Sequence, residues 1–446
     1  MFSFAIETDL EKFDSFVDSH KGSYLQCSSW PNVKTAWKPY FYSGFEDDEQ
    51  VLTALVLERH IPIVGKLWYM SCGPVCDDKY RFNKDFMKAF SDFLKSEMKA
   101  HGAFCLITDP LIPLRIDGED CKEGIEAHTL FTELGYELNP DISTYTYKHP
   151  VQTMIPLKDE EGKMIPADKL LKKCEKGVRY SVRVGKSRGL YAKRYLYEDI
   201  VNDEKVMDAF MEVMGDTSDR NSFLNRDSDY CMNLIKNLKD HTDITVVYYD
   251  KELDRKLENE RQAKRVELEA ALETAPEKKI RGIKNDIEAI DNNTKSYNQR
   301  MEETKDYDEN ARIAVAAGLT IRYGGVASCV FGGTRNIVRN KTMSSQYLNY
   351  LRMCESIDEG MDYHDLGYVL VENPEILPNG TLGELKPVEN FIGICDFKKS
   401  FGAKYFEFIG EYVLVGNRFK YWMYKELMPK AKKIRNEIIK KIKHKG

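Results

Sequence analysis

Between two strand-like runs, ITVVYYD (244–250) and RIAVAAGLTIRYGG (312–325), the chain carries a long segment of different periodicity. In EKKIRGIKNDIEAIDNNTKSYNQRM (277–301), Ile280, Ile283, Ile287, Ile290, Thr294, Tyr297 and Met301 recur at alternating spacings of three and four. That is the seam of a coiled-coil helix. The preceding half, KELDRKLENERQAKRVELEAALE (251–273), carries Leu253, Leu257, Leu268 and Leu272 with a polar gap between them. Pro276 in the link TAPEKK disfavours a helical residue before it. Two helices joined by so short a link run antiparallel. The chain therefore returns close to where it left, and the flanking strands can pair. Any fold for this sequence must accept a helical hairpin, at about 251–311, inserted between sheet neighbours.

The rest of the chain reads as α/β. In the first part, VLTALVLERHI (51–61) is a strand, RFNKDFMKAFSDFLKSEMKAHG (81–102) an amphipathic helix stopped by Gly102, and AFCLITDP (103–110) a buried strand. In the second, DKLLKKCEKGVRYSVRVGKSRGL (168–190) reads as one basic helix ending at Gly189, YAKRYLY (191–197) as a strand, and VMDAFMEVMGDTSDR (206–220) as a helix. Strand-helix-strand order in both parts is compatible with two related α/β domains. At 446 residues there is room for two or three domains.

Composition excludes several classes. A net charge of -6 confines any polyanion site to a local basic patch. No run of about 18 apolar residues predicts a membrane span, and the N-terminus has no signal-peptide pattern. The ten cysteines are scattered, with CGPVC (72–76) the closest spacing. This fits a reducing cytoplasm rather than a disulfide framework or a zinc site.

Five stretches, in order, resemble the FemABX family of aminoacyl-tRNA-dependent peptidyltransferases that build peptidoglycan cross-bridges. GSYLQCSSWPNVKTAW (22–37) is similar to a Gln-x-x-x-Trp…Lys element, and YMSCGPV (69–75) to an Arg-Gly-Pro turn with Ser-Cys in place of Pro-Arg. KGVRYSVRVGKSRGL (176–190), FMEVMGDTSDRNSFLNRDSDY (210–230) and FKKSFGAKYFEFIGEYVLVGN (397–417) resemble three further family elements. The resemblance implies two acetyltransferase-like (GNAT) domains with an inserted coiled-coil arm. The expected division is 1–150 for the first domain, 151–250 and 312–395 for the second, 251–311 for the arm, and 396–446 for a segment returning to the first domain. The arm resembles the tRNA-binding hairpin of seryl-tRNA synthetases.

The implied reaction is attack by a stem-peptide amine on the ester of an aminoacyl-tRNA. The acceptor is a peptidoglycan precursor, either lipid II or UDP-MurNAc-pentapeptide. Ester to amide is downhill, so no cofactor is expected. No Ser-His-Asp or Cys-His order is evident, which fits direct transfer without a covalent enzyme intermediate.

By resemblance, Lys34 binds a precursor diphosphate, a role suited to a point charge. Its structural alternative is a surface lysine. Arg220 and Arg226 flank Phe223 on a loop after a helix, where the resemblance implies a phosphate-binding arginine; Arg226 is favoured over Arg220, and the structural alternative for either is a helix-end salt bridge. Asp109, at the carboxyl end of a strand, is a substrate-positioning or proton-accepting group, or else a turn-forming Asp before Pro110. Lys398 is the foremost catalytic residue, stabilising charge on the tRNA ester, with Lys399 as the alternative register.

The basic run Lys172, Lys173, Lys176, Arg179, Arg183, Lys186 and Arg188 is a tRNA or pyrophosphate surface or an ordinary solvated face. GGTRNIVRNK (332–341) lacks a P-loop ending and reads as a hairpin turn. The tail, with Ile434, Ile438 and Ile442 among lysines, reads either as a peripheral contact with the inner face of the membrane or as a terminal helix on the first domain. Two rival functions stand beside the transferase: a tRNA-binding adaptor with degenerate GNAT domains, and an acyl-CoA-dependent acyltransferase. The second needs a pyrophosphate loop that KSRGLYAKR (186–194) does not supply.

Overall fold

A computed structural model describes residues 1–146, 149–221, 226–372 and 374–426. Phe223 and the tail residues Ile434, Ile438 and Ile442 lie outside the described residues. The fold is mixed α/β. It divides into one unit of residues 1–154, 368–396 and 404–446, and a second of residues 155–367 and 397–403.

The first unit has a sheet in the order Phe2–Ile6, Lys38–Glu46, Glu49–Ile61, Gly65–Met70, Ala103–Thr108, Tyr412–Val415, Glu137–Leu138. Gly65–Met70 and Ala103–Thr108 pair in parallel, which requires a long crossover. The helix Lys84–His101 provides it. Asn83 accepts a hydrogen bond from Phe86 N at its start, and Gly102, at φ 73°, closes its end. Its buried stripe, Phe86, Phe90, Leu94 and Met98, follows the four-residue spacing of one helix face. Tyr412–Val415 then enters as a neighbour of Ala103–Thr108, about 300 residues away along the chain. A further ladder in this unit joins Val151–Pro156, Lys404–Phe408, Pro113–Ile116 and Glu119–Asp120.

The second unit orders its strands Leu190–Leu196, Thr242–Asp250, Arg312–Tyr323, Val326–Thr334, Tyr363–Tyr368. Gly324 and Gly325, at φ 57° and 82°, make the two-residue turn between Arg312–Tyr323 and Val326–Thr334. Two consecutive positive φ angles are what such a hairpin turn needs. Asp250 is paired with Arg312 at the end of the neighbouring ladder, so the chain leaves and re-enters the sheet at facing positions.

Between those positions stand the helices Lys251–Thr274 and Glu277–Glu303. Asp254 bonds Arg300, Gln262 bonds Thr294 and Arg265 bonds Asp291. One number of each pair rises as the other falls, so the helices run antiparallel. Their mutual face is more polar than the heptad alone implies. The seam residues Ile280, Ile283, Ile287 and Ile290 are half-buried, while Asp254 and Arg300 at the root are fully buried. The polar gap is filled by Glu258, which accepts from Thr294 at 2.6 Å, Gln262 at 2.6 Å and Arg261 at 2.8 Å.

Three sequence readings are corrected. The basic run is two helices, Ala167–Lys173 and Lys176–Lys186, not one. Cys174 between them is extended, at φ -68° and ψ 156°, and Glu175 N donates to Ser400 O at 2.8 Å. Residues 332–341 are not a hairpin turn: Val326–Thr334 ends there and a short helix, Arg339–Thr342, follows. Arg220 is not on a loop but in the last turn of the helix Glu204–Asn221.

Candidate functional site

In the first unit, two motif segments meet at the carboxyl end of Ala103–Thr108. All six residues of that strand are buried, and Asp109 directly follows, 7% exposed. Its carboxylate accepts from Tyr69 Oη and from Cys72 N, each at 2.7 Å. Thr108 Oγ1 donates to Gly73 O at 2.7 Å. On the other side of the same turn, Gln26 Nε2 donates to Ser71 O at 2.6 Å, and its Oε1 accepts from Leu55 N at 2.8 Å. Gly73 lies so close that an added Cβ would sit 2.7 Å from the Gln26 amide. The Gln-x-x-x-Trp segment, the Ser-Cys-Gly-Pro turn and Asp109 thus form one hydrogen-bonded structure. Burial and the Asp109 charge raise the Tyr69 phenol well above its usual range, so Tyr69 is a donor here.

Lys34 follows the helix Trp30–Val33 and holds its ammonium over the Trp30 ring, 5.1 Å from the centroid. A cleft near the turn is lined by His20, Lys21, Cys72, Pro74, Arg81 and Pro110. Neither Lys34 nor Asp109 lines it. The sequence signal for Tyr69 and Gln26 was present, since both lie inside the motif stretches, but their partners are non-local.

In the second unit, Lys398 is half-buried in the last turn of Ile392–Lys399, while Lys399 is exposed. Its Nζ lies against Gly367, 3.6 Å from where a Cβ would stand. Nearby runs a row of side chains in which Ser356 and His364 are buried and Cys329 half-buried: Cys329 Sγ meets His364 Nε2 at 3.3 Å, and His364 Nδ1 meets Ser356 Oγ at 2.9 Å. Burial, then the Arg352 and Arg322 charges, hold the His364 imidazole far below its usual range. Burial raises the Cys329 thiol, opposed in part by Arg352 and Lys398. Both groups are therefore neutral near pH 7. Arg352, fully enclosed, donates to Thr320 Oγ1 at 2.9 Å and Leu319 O at 2.8 Å. No spacing rule links positions 329, 356 and 364, so this row is invisible to motif or periodicity reasoning.

The two arginines differ. Arg220 donates to Thr334 O and Asn336 Oδ1, both at 2.9 Å, and burial and then Arg339 depress its pKa. That is a packing role joining the helix to the strand end. Arg226 is exposed, with its guanidinium 4.8 Å from the Tyr230 ring centroid. In the basic run, Arg179 donates to Cys174 O and Lys172 pairs with Asp168, while Lys176, Arg183 and Lys186 stay exposed.

Residues 8–428 match the model of the FemAB family. The chain is 26% identical over 450 residues to a lipid II:glycine glycyltransferase of Staphylococcus aureus strain MSSA476, covering 98% of each chain. The strain USA300 counterpart gives the same identity and coverage. The crystal structure of FemX superposes with a TM-score of 0.73 at 22% identity, covering 95% of this chain and all of that one. At that identity the likeness shows a common fold.

Proposed function

Because this chain belongs to the FemAB family, we propose that it transfers an amino acid from aminoacyl-tRNA to the stem-peptide amine of a peptidoglycan precursor, lipid II being the acceptor of choice. The observation that carries this reading is the extent of the likeness to lipid II:glycine glycyltransferases, 98% of both chains. Both units and the arm are included in it. On this reading the two units are the GNAT-like domains, and the arm packs as a coiled coil that engages tRNA.

The amine nitrogen attacks the ester carbonyl, forming the C–N bond. The C–O bond to the ribose breaks, and the proton lost by the amine ends on the freed tRNA hydroxyl. Lys398 offsets charge on the carbonyl oxygen as the tetrahedral species forms. Asp109 acts as a positioning residue, since its carboxylate already holds Tyr69 and Cys72. In the first unit Lys34 takes a precursor phosphate; in the second, exposed Arg226 is the phosphate-binding arginine, and Arg220 holds the helix end that precedes it.

The test is purified chain with glycyl-tRNA and lipid II, followed by mass spectrometry of the acceptor. A stem peptide heavier by one or more glycines is expected. Tight binding of charged tRNA with no transfer to lipid II, under any aminoacyl group, would instead mark a tRNA adaptor. In the same assay, Lys34→Ala and Arg226→Ala are each expected to raise KM for lipid II by tens of fold, because losing a charged hydrogen bond to phosphate costs roughly 1.5–3 kcal/mol. A change confined to KM for tRNA would assign both residues to the other substrate.

A further inference from the structure

The last described helix turns two large aromatic rings into solvent. Residues 418–426 are helical, and Asn417 Oδ1 accepts from Lys420 N at 3.0 Å at their start. One face is anchored: Tyr421, Met423 and Tyr424 pack on the first unit's cluster that includes Leu67, Phe104 and Val413. The opposite face carries Phe419, 67% exposed, and Trp422, 55% exposed. Their rings are stacked, 6.1 Å between centroids and 24° between planes. Single exposed apolar side chains are ordinary, but a stacked Phe-Trp pair one turn apart on a helix is a concentrated apolar surface.

Cations frame it. Arg418 and Lys425 are exposed on either side, and Arg418 reaches Glu137 at 3.2 Å in an exposed pair that contributes little. From Arg418 onward the sequence has eleven Lys and Arg against two Glu, leaving 55 against 70 acidic residues in 1–417. The basic charge is thus concentrated, along the sequence, in the segment that begins with this helix. The surface lies at the edge of the family match, which ends at residue 428.

We propose that the Phe419–Trp422 face is a docking surface for an anionic lipid bilayer. Aromatic rings with an apolar body settle at the bilayer interface. Arg418 and Lys425 are placed to meet headgroup phosphates on a negative surface. The helix lies along the interface and does not cross it, since no described helix is long and apolar enough to span a membrane. The inference does not depend on which amine is acylated or on the tRNA step.

The experiment is flotation of the full chain with vesicles of phosphatidylcholine alone and of phosphatidylcholine mixed with phosphatidylglycerol. Strong binding is expected to the mixed vesicles only, weakening as salt rises. The double variant F419S/W422S is expected to lose at least about tenfold in partitioning, from the ring surface removed. R418Q/K425Q is expected to lose selectivity for phosphatidylglycerol. Brominated lipid should quench Trp422, and W422F should abolish that part of the quenching. Both double variants should keep the wild-type thermal transition and the wild-type transfer rate to a water-soluble acceptor, so that failure of membrane docking and failure of the transfer reaction read separately. Equal binding to both vesicle types, or wild-type partitioning by F419S/W422S, would overturn the proposal. So would a dimer in light scattering that F419S/W422S dissociates, because the face would then belong to a second copy.

Discussion

Lys398→Met is expected to lower the turnover number and the specificity constant together, on the order of a hundredfold or more. The replacement keeps most of the apolar stem and removes the charge. Lys398 sits half-buried at a helix end beside Gly367, with Cys329 and His364 kept neutral by burial. That row therefore adds no opposing charge at neutral pH. In such surroundings an ammonium stabilises an oxyanion far more than in water. Its contribution exists mainly in the transition state, so ground-state binding should change little. Lys398→Arg should recover little activity, because a planar guanidinium places its charge elsewhere. Single-turnover measurements with saturating tRNA decide the matter. An unchanged turnover number with weaker, less salt-dependent tRNA binding would make Lys398 a phosphate contact.

Arg300→Met is expected to destabilise the second unit by about 3–5 kcal/mol, the largest stability effect of any single change foreseen for the arm. Arg300 is fully buried and holds Asp254 with two bonds of 2.8 Å, from Nε and Nη2. Asp254 is also fully buried and accepts from Tyr249 Oη at 2.7 Å. Removing the guanidinium takes both short ionic bonds from a buried carboxylate and leaves it Tyr249 and, at 3.7 Å, Arg261. The pair itself need not be favourable relative to apolar packing, since two charges lose hydration on burial. The double change Asp254→Leu with Arg300→Met should therefore recover most of the loss, and a double-mutant cycle in urea will show it as strong coupling. Hydrogen exchange should report the single variant's opening first in 251–303. A loss below about 1 kcal/mol would place the pair in effective contact with water, where ion pairs contribute little.

Local pattern in this sequence determined whatever depends on neighbours along the chain. Alternating threes and fours fix the second helix of the arm, and Gly102 stops the helix that ends at His101. Because the arm's strands flank it directly, its insertion point in the sheet was legible too. Lys34, Arg220, Arg226 and Lys398 were legible only as members of motif stretches, and Asp109 only as an acid at the end of a strand.

Partners distant in sequence were decided by tertiary structure. The basic run breaks at Cys174 because Ser400 captures the Glu175 amide, so a hydrogen bond from another segment replaces one the helix would have made. The polar gap in the arm looked like a weak seam. It is a chain of hydrogen bonds whose acceptor, Glu258, needed Thr294 across the hairpin. Asp109 read as a turn former or an acid, and the fold gives it Tyr69 and Cys72 to hold. Cys329, Ser356 and His364 become neighbours only once the second unit has closed. Periodicity records which face of an element is buried. It carries no record of which distant donor meets a buried acceptor, and that pairing settles where a charge sits and what it can do.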